Sequence, residues 1–253
     1  MNLNTKQASI LMHRLSERIK IHRDIEVVIS PPMLTLQPLS LQIDRRKFRL
    51  AAQNAYFKDE GPYTGEVSFT MLQDLVHYVL IGHSDRRYKF GEDLDIIRDK
   101  MAACVRNGIA PILCVGETKQ ERLDKETMQV LHDQITTAFS NLTASDAENV
   151  VVAYEPVWAL SSGRDYMHHE IPTPDNITRA AKAIRNNLRH MFGTSVADNV
   201  RILYGGSANA STALGLLKSD GIDGLLVGGA SLNYEEFSGI IDAADKLQHE
   251  RVE

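Results

Sequence analysis

A closed parallel α/β barrel of the (β/α)8 kind is the fold class that three observations predict. The chain is 253 residues long, the usual size of such a barrel (about 250 residues). Short apolar runs alternate with longer stretches of helical period along nearly the whole sequence, without a break in composition, which favours one α/β domain over residues 1–253. Residues suited to chemistry stand just past several of the strand-like runs: Asn54, His83, Glu117, Glu155, Ser207 and Gly228-Gly229. A doubly wound open sheet gathers such groups at one switch point, whereas a barrel spreads them over many loops.

The strand-like runs are Val27–Ile29, Leu50–Ala52, Tyr78–Ile81, Ile112–Val115, Val150–Ala153, Arg201–Tyr204 and Leu225–Val227. They are continuously apolar rather than alternating, as expected of strands covered on both faces. Between them, Ile177, Ala181, Ile184 and Leu188 share one helical face, as do Ile97, Met101 and Val105. The first element is a helix on which Leu11, Leu15 and Ile19 recur. The pattern therefore gives seven strands and eight helices.

Composition narrows the partners. Hydrophobic residues make up 43% and charged residues 24%, and the formal charge is −5, which argues against disorder and against a general nucleic-acid binder. No apolar run approaches the roughly 20 residues a membrane helix needs. Two cysteines build no disulfide framework and fit a reducing, cytoplasmic setting.

Glu155 follows a β-rich run, where a carboxylate among apolar neighbours suits a general base. His83 stands at another strand end; a helix starting at Ser84 would hold its imidazole neutral and able to donate a hydrogen bond to a carbonyl oxygen. Gly-rich turns at Gly205-Gly206-Ser207 and Gly228-Gly229 follow the last two strands, the usual phosphate position of a barrel. The segment Leu160-Ser161-Ser162-Gly163 has the small residues of a lid. His168, His169 and Glu170 in the same stretch read as solvated side chains, and no metal site is expected.

Several motifs together carry a family resemblance: Gln53-Asn54, Gly65-Glu66, Ile81-Gly82-His83-Ser84-Asp85-Arg86-Arg87, Cys114-Val115-Gly116-Glu117, Ala153-Tyr154-Glu155-Pro156-Val157-Trp158-Ala159, Tyr204-Gly205-Gly206-Ser207 and Leu226-Val227-Gly228-Gly229-Ala230-Ser231-Leu232. In order and spacing the chain resembles triosephosphate isomerase, a TIM-barrel family. The resemblance implies interconversion of dihydroxyacetone phosphate and D-glyceraldehyde 3-phosphate, a step of glycolysis and gluconeogenesis, with no metal or organic cofactor. It implies Glu155 as catalytic base and His83 as electrophile, a pairing for which this family is itself the known example. Ser161, Ser207, Gly228 and Gly229 match phosphate-contacting positions; Leu160 and Leu226 match the apolar pair around the base, with Asp85 and Cys114 in supporting places. The loop 59–66 resembles the segment that docks into the neighbouring subunit of a homodimer.

Three departures stand against that pattern. Met1-Asn2 aligns with the end of an Asn-Trp-Lys-Met-Asn-type segment, so the family's opening strand, Asn and Lys have no counterpart in this sequence. That leaves two alternatives beside a working isomerase: slow or absent turnover in a barrel kept as a binding or scaffold module, or another phosphate-binding barrel enzyme. Asp85 stands where the family has Glu, and the lid is longer by about six residues around 164–172.

Overall fold

The computed structural model describes residues 1–160 and 172–252. Seven parallel strands form one curled sheet in chain order: β1 (Val28–Ile29), β2 (Arg49–Ala52), β3 (Tyr78–Ile81), β4 (Ala110–Val115), β5 (Val151–Tyr154), β6 (Arg201–Tyr204) and β7 (Gly224–Leu225). This is the TIM-barrel type of α/β fold that the alternating pattern predicts. Side chains on the central strands point alternately inward and outward. Ile112 and Cys114 of β4, Ala153 of β5 and Leu203 of β6 meet Leu80 inside the curl. Their neighbours Leu113, Val115, Val152, Tyr154, Ile202 and Tyr204 pack outward under the helices. Both faces are therefore covered, which is why the strands read as unbroken apolar runs.

The helices are α1 (Thr5–Arg18), α2 (Met33–Gln42), α3 (Phe69–Leu72), α4 (Ser84–Lys89), α5 (Leu94–Arg106), α6 (Lys119–Leu123), α7 (Thr127–Phe139), α8 (Ala144–Ala147), α9 (Pro174–Phe192), α10 (Thr194–Asn199), α11 (Ala213–Leu217) and α12 (Tyr234–Val252). That is twelve among the described residues, against the eight expected from periodicity. Six of them are turns four to six residues long, too short to show a period. Several are set by a capping side chain instead: Ser68 for α3, Thr118 for α6 and Thr143 for α8. The face expected of α9 is buried at Ile177, Ala181, Ile184 and Leu188. Of the face expected of α1, Leu15 and the C-cap Ile19 are buried, Leu11 lies at the margin, and Ala8 and Met12 are buried beside them.

β1 and β7 are two residues long and half-buried, and among the described residues they pair inward only, with β2 and β6. On that side α1 packs on α12. Met12, Leu15, Phe237 and Ile241 share one apolar cluster, Arg18 Nη2 lies 2.6 Å from Asp242 Oδ2, and the Arg14 guanidinium stacks over the Tyr234 ring. The buried side chains supply most of the stability of this helix contact, because exposed ion pairs add little.

Candidate active site

β5 delivers Glu155 to the rim formed by the C-terminal strand ends. Its N–H donates to the Val115 carbonyl over 2.7 Å, and Val157 N–H donates to the Glu117 carbonyl over 3.1 Å, so the β4–β5 pairing runs past Tyr154 on both sides of Pro156. The side chain is only 3% exposed. Two glycines make room for it. A Cβ on Gly116 would lie 1.7 Å from the Glu155 carbonyl oxygen, and one on Gly205 would lie 2.9 Å from Glu155 Cγ.

His83 comes from the end of β3, on the far side of β4 from β5, and is the N-cap residue of α4. Asp85 N–H donates to its Nδ1 over 3.2 Å. With Nδ1 accepting, the neutral ring carries its proton on Nε2. Nε2 lies 3.1 Å from Glu155 Oε1, and Ser84 N–H donates to Glu155 Oε2 over 3.1 Å. Both carboxylate oxygens are thus held. Burial pushes the Glu155 carboxyl up from the ordinary carboxylate value, against the opposing pull of His83, the Ser84 N–H and Arg87. A carboxylate taken out of water in this way is a stronger base than one in solution.

The supporting positions fall around this pair. Asp85 reaches back toward the imidazole, with Oδ2 3.9 Å from His83 Nδ1. Cys114 is fully buried inside the curl, where burial pushes its thiol well up, and its carbonyl accepts from Arg87 Nη2 over 2.9 Å. Leu226 packs against the same inner cluster and lies beside Gly205, on the side where that glycine meets Glu155. Leu160 ends a short 3-10 turn, Val157–Ala159, two residues beyond Glu155. Ser207 Oγ donates to the Ala159 carbonyl over 3.2 Å and so ties the β6 loop to that turn. Gly228 and Gly229 are exposed, and a Cβ on either would meet nothing within 4 Å. Their backbone therefore faces open space that a ligand can enter. Ser161, His168, His169 and Glu170 lie outside the described residues.

The two glycine turns differ in kind. Packing dictates Gly205 and Gly206: the first clears Glu155, and a Cβ on the second would sit 2.1 Å from the Tyr204 hydroxyl. Only the Gly228-Gly229 turn is free of such contacts. Two other strand-end residues prove to be tied into buried clusters. Glu117 is fully buried and accepts from Trp158 Nε1 over 2.8 Å and from the Tyr154 hydroxyl over 3.1 Å, while Arg122 stacks over the Trp158 ring at 3.7 Å. Asn54 accepts from buried Lys100, whose Nζ also lies 2.5 Å from Glu92. Among the described residues no group of three or more His, Cys, Asp or Glu is placed to hold a metal ion.

The sequence as a whole matches one family model, Triosephosphate isomerase, over residues 1–244. The chain belongs to the triosephosphate isomerase family. It is 40% identical to the triosephosphate isomerase of Carboxydothermus hydrogenoformans over 236 residues, covering 93% of this chain and 92% of the relative. The triosephosphate isomerase of Fusobacterium nucleatum is likewise 40% identical, over 96% of this chain and 94% of its own length. That of Alkaliphilus oremlandii is 36% identical over 96% and 95%. Membership in the triosephosphate isomerase family makes this barrel an isomerase fold acting on a triose phosphate. Apart from Gly65-Glu66, the motifs that carry the likeness lie where β2 to β7 end.

Proposed function

We propose that the chain interconverts dihydroxyacetone phosphate and D-glyceraldehyde 3-phosphate through an enediolate, with Glu155 as base and His83 as electrophile. The observation that carries this is the contact between a desolvated carboxylate and the N–H of a neutral imidazole, Glu155 Oε1 and His83 Nε2 at 3.1 Å. A three-carbon substrate entering between them meets the base at a C–H bond and the donor at the adjacent oxygens. Glu155 takes the proton from C1 of the ketose. The electron pair of that bond forms the C1–C2 double bond, and the carbonyl π pair moves to oxygen, where the His83 N–H stabilises it. The hydroxyl proton on O1 passes to O2 by way of His83 Nε2, the O1 electron pair re-forms a carbonyl at C1, and the double-bond pair takes the proton back from Glu155 at C2, giving the aldose. The carboxyl is regenerated and nothing else is consumed.

In this reading Gly228 and Gly229 offer backbone N–H groups to the phosphate, with Ser207 and, by the family resemblance alone, Ser161 as further contacts. Leu160 and Leu226 keep water from the base, and Asp85 and Cys114 support the frame. The whole chain works as one domain. The chain pairs into a homodimer through the 59–66 loop: residues 58–66 are all exposed, yet Asp59 is anchored by Arg106 at 3.0 Å and by Asn107 at 3.0 Å, so the loop is a shaped, uncovered surface. A cytoplasmic location fits two free, buried cysteines and the lack, among the described residues, of a helix long and apolar enough to cross a membrane.

A steady-state assay with both triose phosphates tests the activity. Turnover well above that of a Glu155→Gln variant supports an isomerase; equal rates in the two proteins leave only a binding role. Sedimentation of the wild type beside a chain with 59–66 shortened tests the dimer.

A further inference from the structure

α4 begins at the imidazole and ends in an exposed cation. Lys89 Nζ lies 2.6 Å from Asp85 Oδ1, one helical turn away. The other oxygen of that carboxylate is 3.9 Å from His83 Nδ1, and His83 Nε2 is 3.1 Å from Glu155. An ammonium, a carboxylate, an imidazole and a second carboxylate thus stand in line from solvent to base.

The N-terminal ammonium also acts on Asp85, and the other cations around the pair, among the described residues, are committed elsewhere. Arg87 donates to the carbonyls of Gly82 and Cys114. Arg86 and Lys100 both hold Glu92, and Arg122 lies over Trp158. Lys89 keeps 69% of its side chain exposed, and its acidic partner is the one that faces the imidazole.

The substrate brings a phosphate and gathers further negative charge on its oxygens as the proton leaves. An uncompensated Asp85 would oppose that charge at the rim of the site. We infer that Lys89 is a positioning residue for the reaction: paired with Asp85, it cancels that carboxylate's charge and keeps the approach to His83 and Glu155 open to an anionic triose phosphate. The inference rests on the isomerase reading above. A purely structural pair so exposed would hardly affect the fold.

The test compares wild type, Lys89→Met, Lys89→Arg, Asp85→Asn and the Asp85→Asn/Lys89→Met double variant. The readouts are KM and kcat for the triose phosphates and the Kd of 2-phosphoglycolate, a planar carboxylate bearing a phosphate. Lys89→Met should raise KM and Kd about three- to tenfold, with kcat changed less than about twofold and Tm within about 2 °C of wild type. Lys89→Arg should restore both, and about 1 M salt should erase the difference. In the Asp85→Asn background, where no charge remains to cancel, Lys89→Met should change KM and Kd less than about twofold. Unchanged KM and Kd in Lys89→Met, or an equal loss in the Asp85→Asn background, would overturn the inference while leaving the isomerase reading intact. A wild type no faster than Glu155→Gln would instead sink the isomerase reading, with 2-phosphoglycolate affinity still deciding the part played by Lys89. A wild type that neither turns over nor binds 2-phosphoglycolate would overturn both.

Discussion

Gly116 lies so close to the main chain of Glu155 that a Cβ on it would fall 1.7 Å from the Glu155 carbonyl oxygen. Gly116 is itself pinned by Gln134, which accepts from its N–H over 2.8 Å and donates to its carbonyl over 3.2 Å. Neither strand end can yield freely, because close-packed interiors transmit a displacement rather than absorb it. Gly116→Ala should therefore push Glu155 off its contact with His83. A misplacement of about 1 Å costs roughly 100-fold, so kcat/KM should fall at least that far, and Tm should drop with it. Assay and thermal melt together check this; an active, undisturbed Gly116→Ala protein would contradict the geometry.

The raised Glu155 carboxyl fixes the sign of two pH effects. The base acts only when ionised, so kcat/KM should decline tenfold per pH unit below the pKa of the Glu155–His83 pair. That midpoint should lie above the ordinary value of 4.5. For stability, the folded chain keeps this proton to higher pH than the unfolded one. The contribution is full below pH 4.5 and is lost as pH rises through the folded value. Glu155→Gln carries no such loss, so its Tm relative to wild type should climb as pH goes from 4.5 to 7. An acid limb centred at or below 4.5 would refute the desolvated base.

Trp158 anchors a buried carboxylate. Replacing it by Phe keeps a ring under the Arg122 guanidinium but removes the indole N–H that Glu117 Oε1 accepts over 2.8 Å. A buried acceptor stripped of one donor costs about 1–3 kcal/mol. Urea unfolding followed by circular dichroism should show an unfolding free energy lowered by that amount, seen as a lower midpoint at unchanged slope, whereas an unmoved midpoint would mean that Tyr154 alone suffices.

Lys100 should be the costliest of these sites for stability. It is 2% exposed, lies 2.5 Å from Glu92 Oε1 and 2.6 Å from Asn54 Oδ1, and shares Glu92 with Arg86. Lys100→Met leaves the Glu92 carboxylate, itself 7% exposed, short of one cation. Breaking a buried ion pair from one side costs about 3–5 kcal/mol, a large share of a typical total of about 5–15 kcal/mol. The Lys100→Met/Glu92→Gln double variant should recover part of this loss in the same urea titration.

Much of the fold and the central pair could be read from residue order. Strand runs such as Tyr78–Ile81 and Arg201–Tyr204 coincide with the strands, and His83 and Glu155 fall at strand ends where a barrel gathers its chemistry. The roles of the glycines could not be read in the same way. Gly205-Gly206 looks like an anion turn on its own, yet the Glu155 side chain from the adjacent strand and the folded-back Tyr204 ring are what exclude a Cβ there. Glu117 and Asn54 likewise look available in sequence, but Trp158 and Lys100 occupy them. The spacing of Asp85 and Lys89 shows a helical pair, but not that its carboxylate faces the imidazole.

The sequence by itself determined what depends on local period: parallel strands alternating with helices, the faces of α5 and α9, and a carboxylate and an imidazole at strand ends. The tertiary structure decided which of those ends meet, which glycines are spaces for a neighbour and which strand-end polar groups are already satisfied. The physical reason is that periodicity is a property of adjacent residues. Contacts such as His83 with Glu155, 72 positions apart, depend instead on strand register and the curl of the sheet, which no single segment encodes.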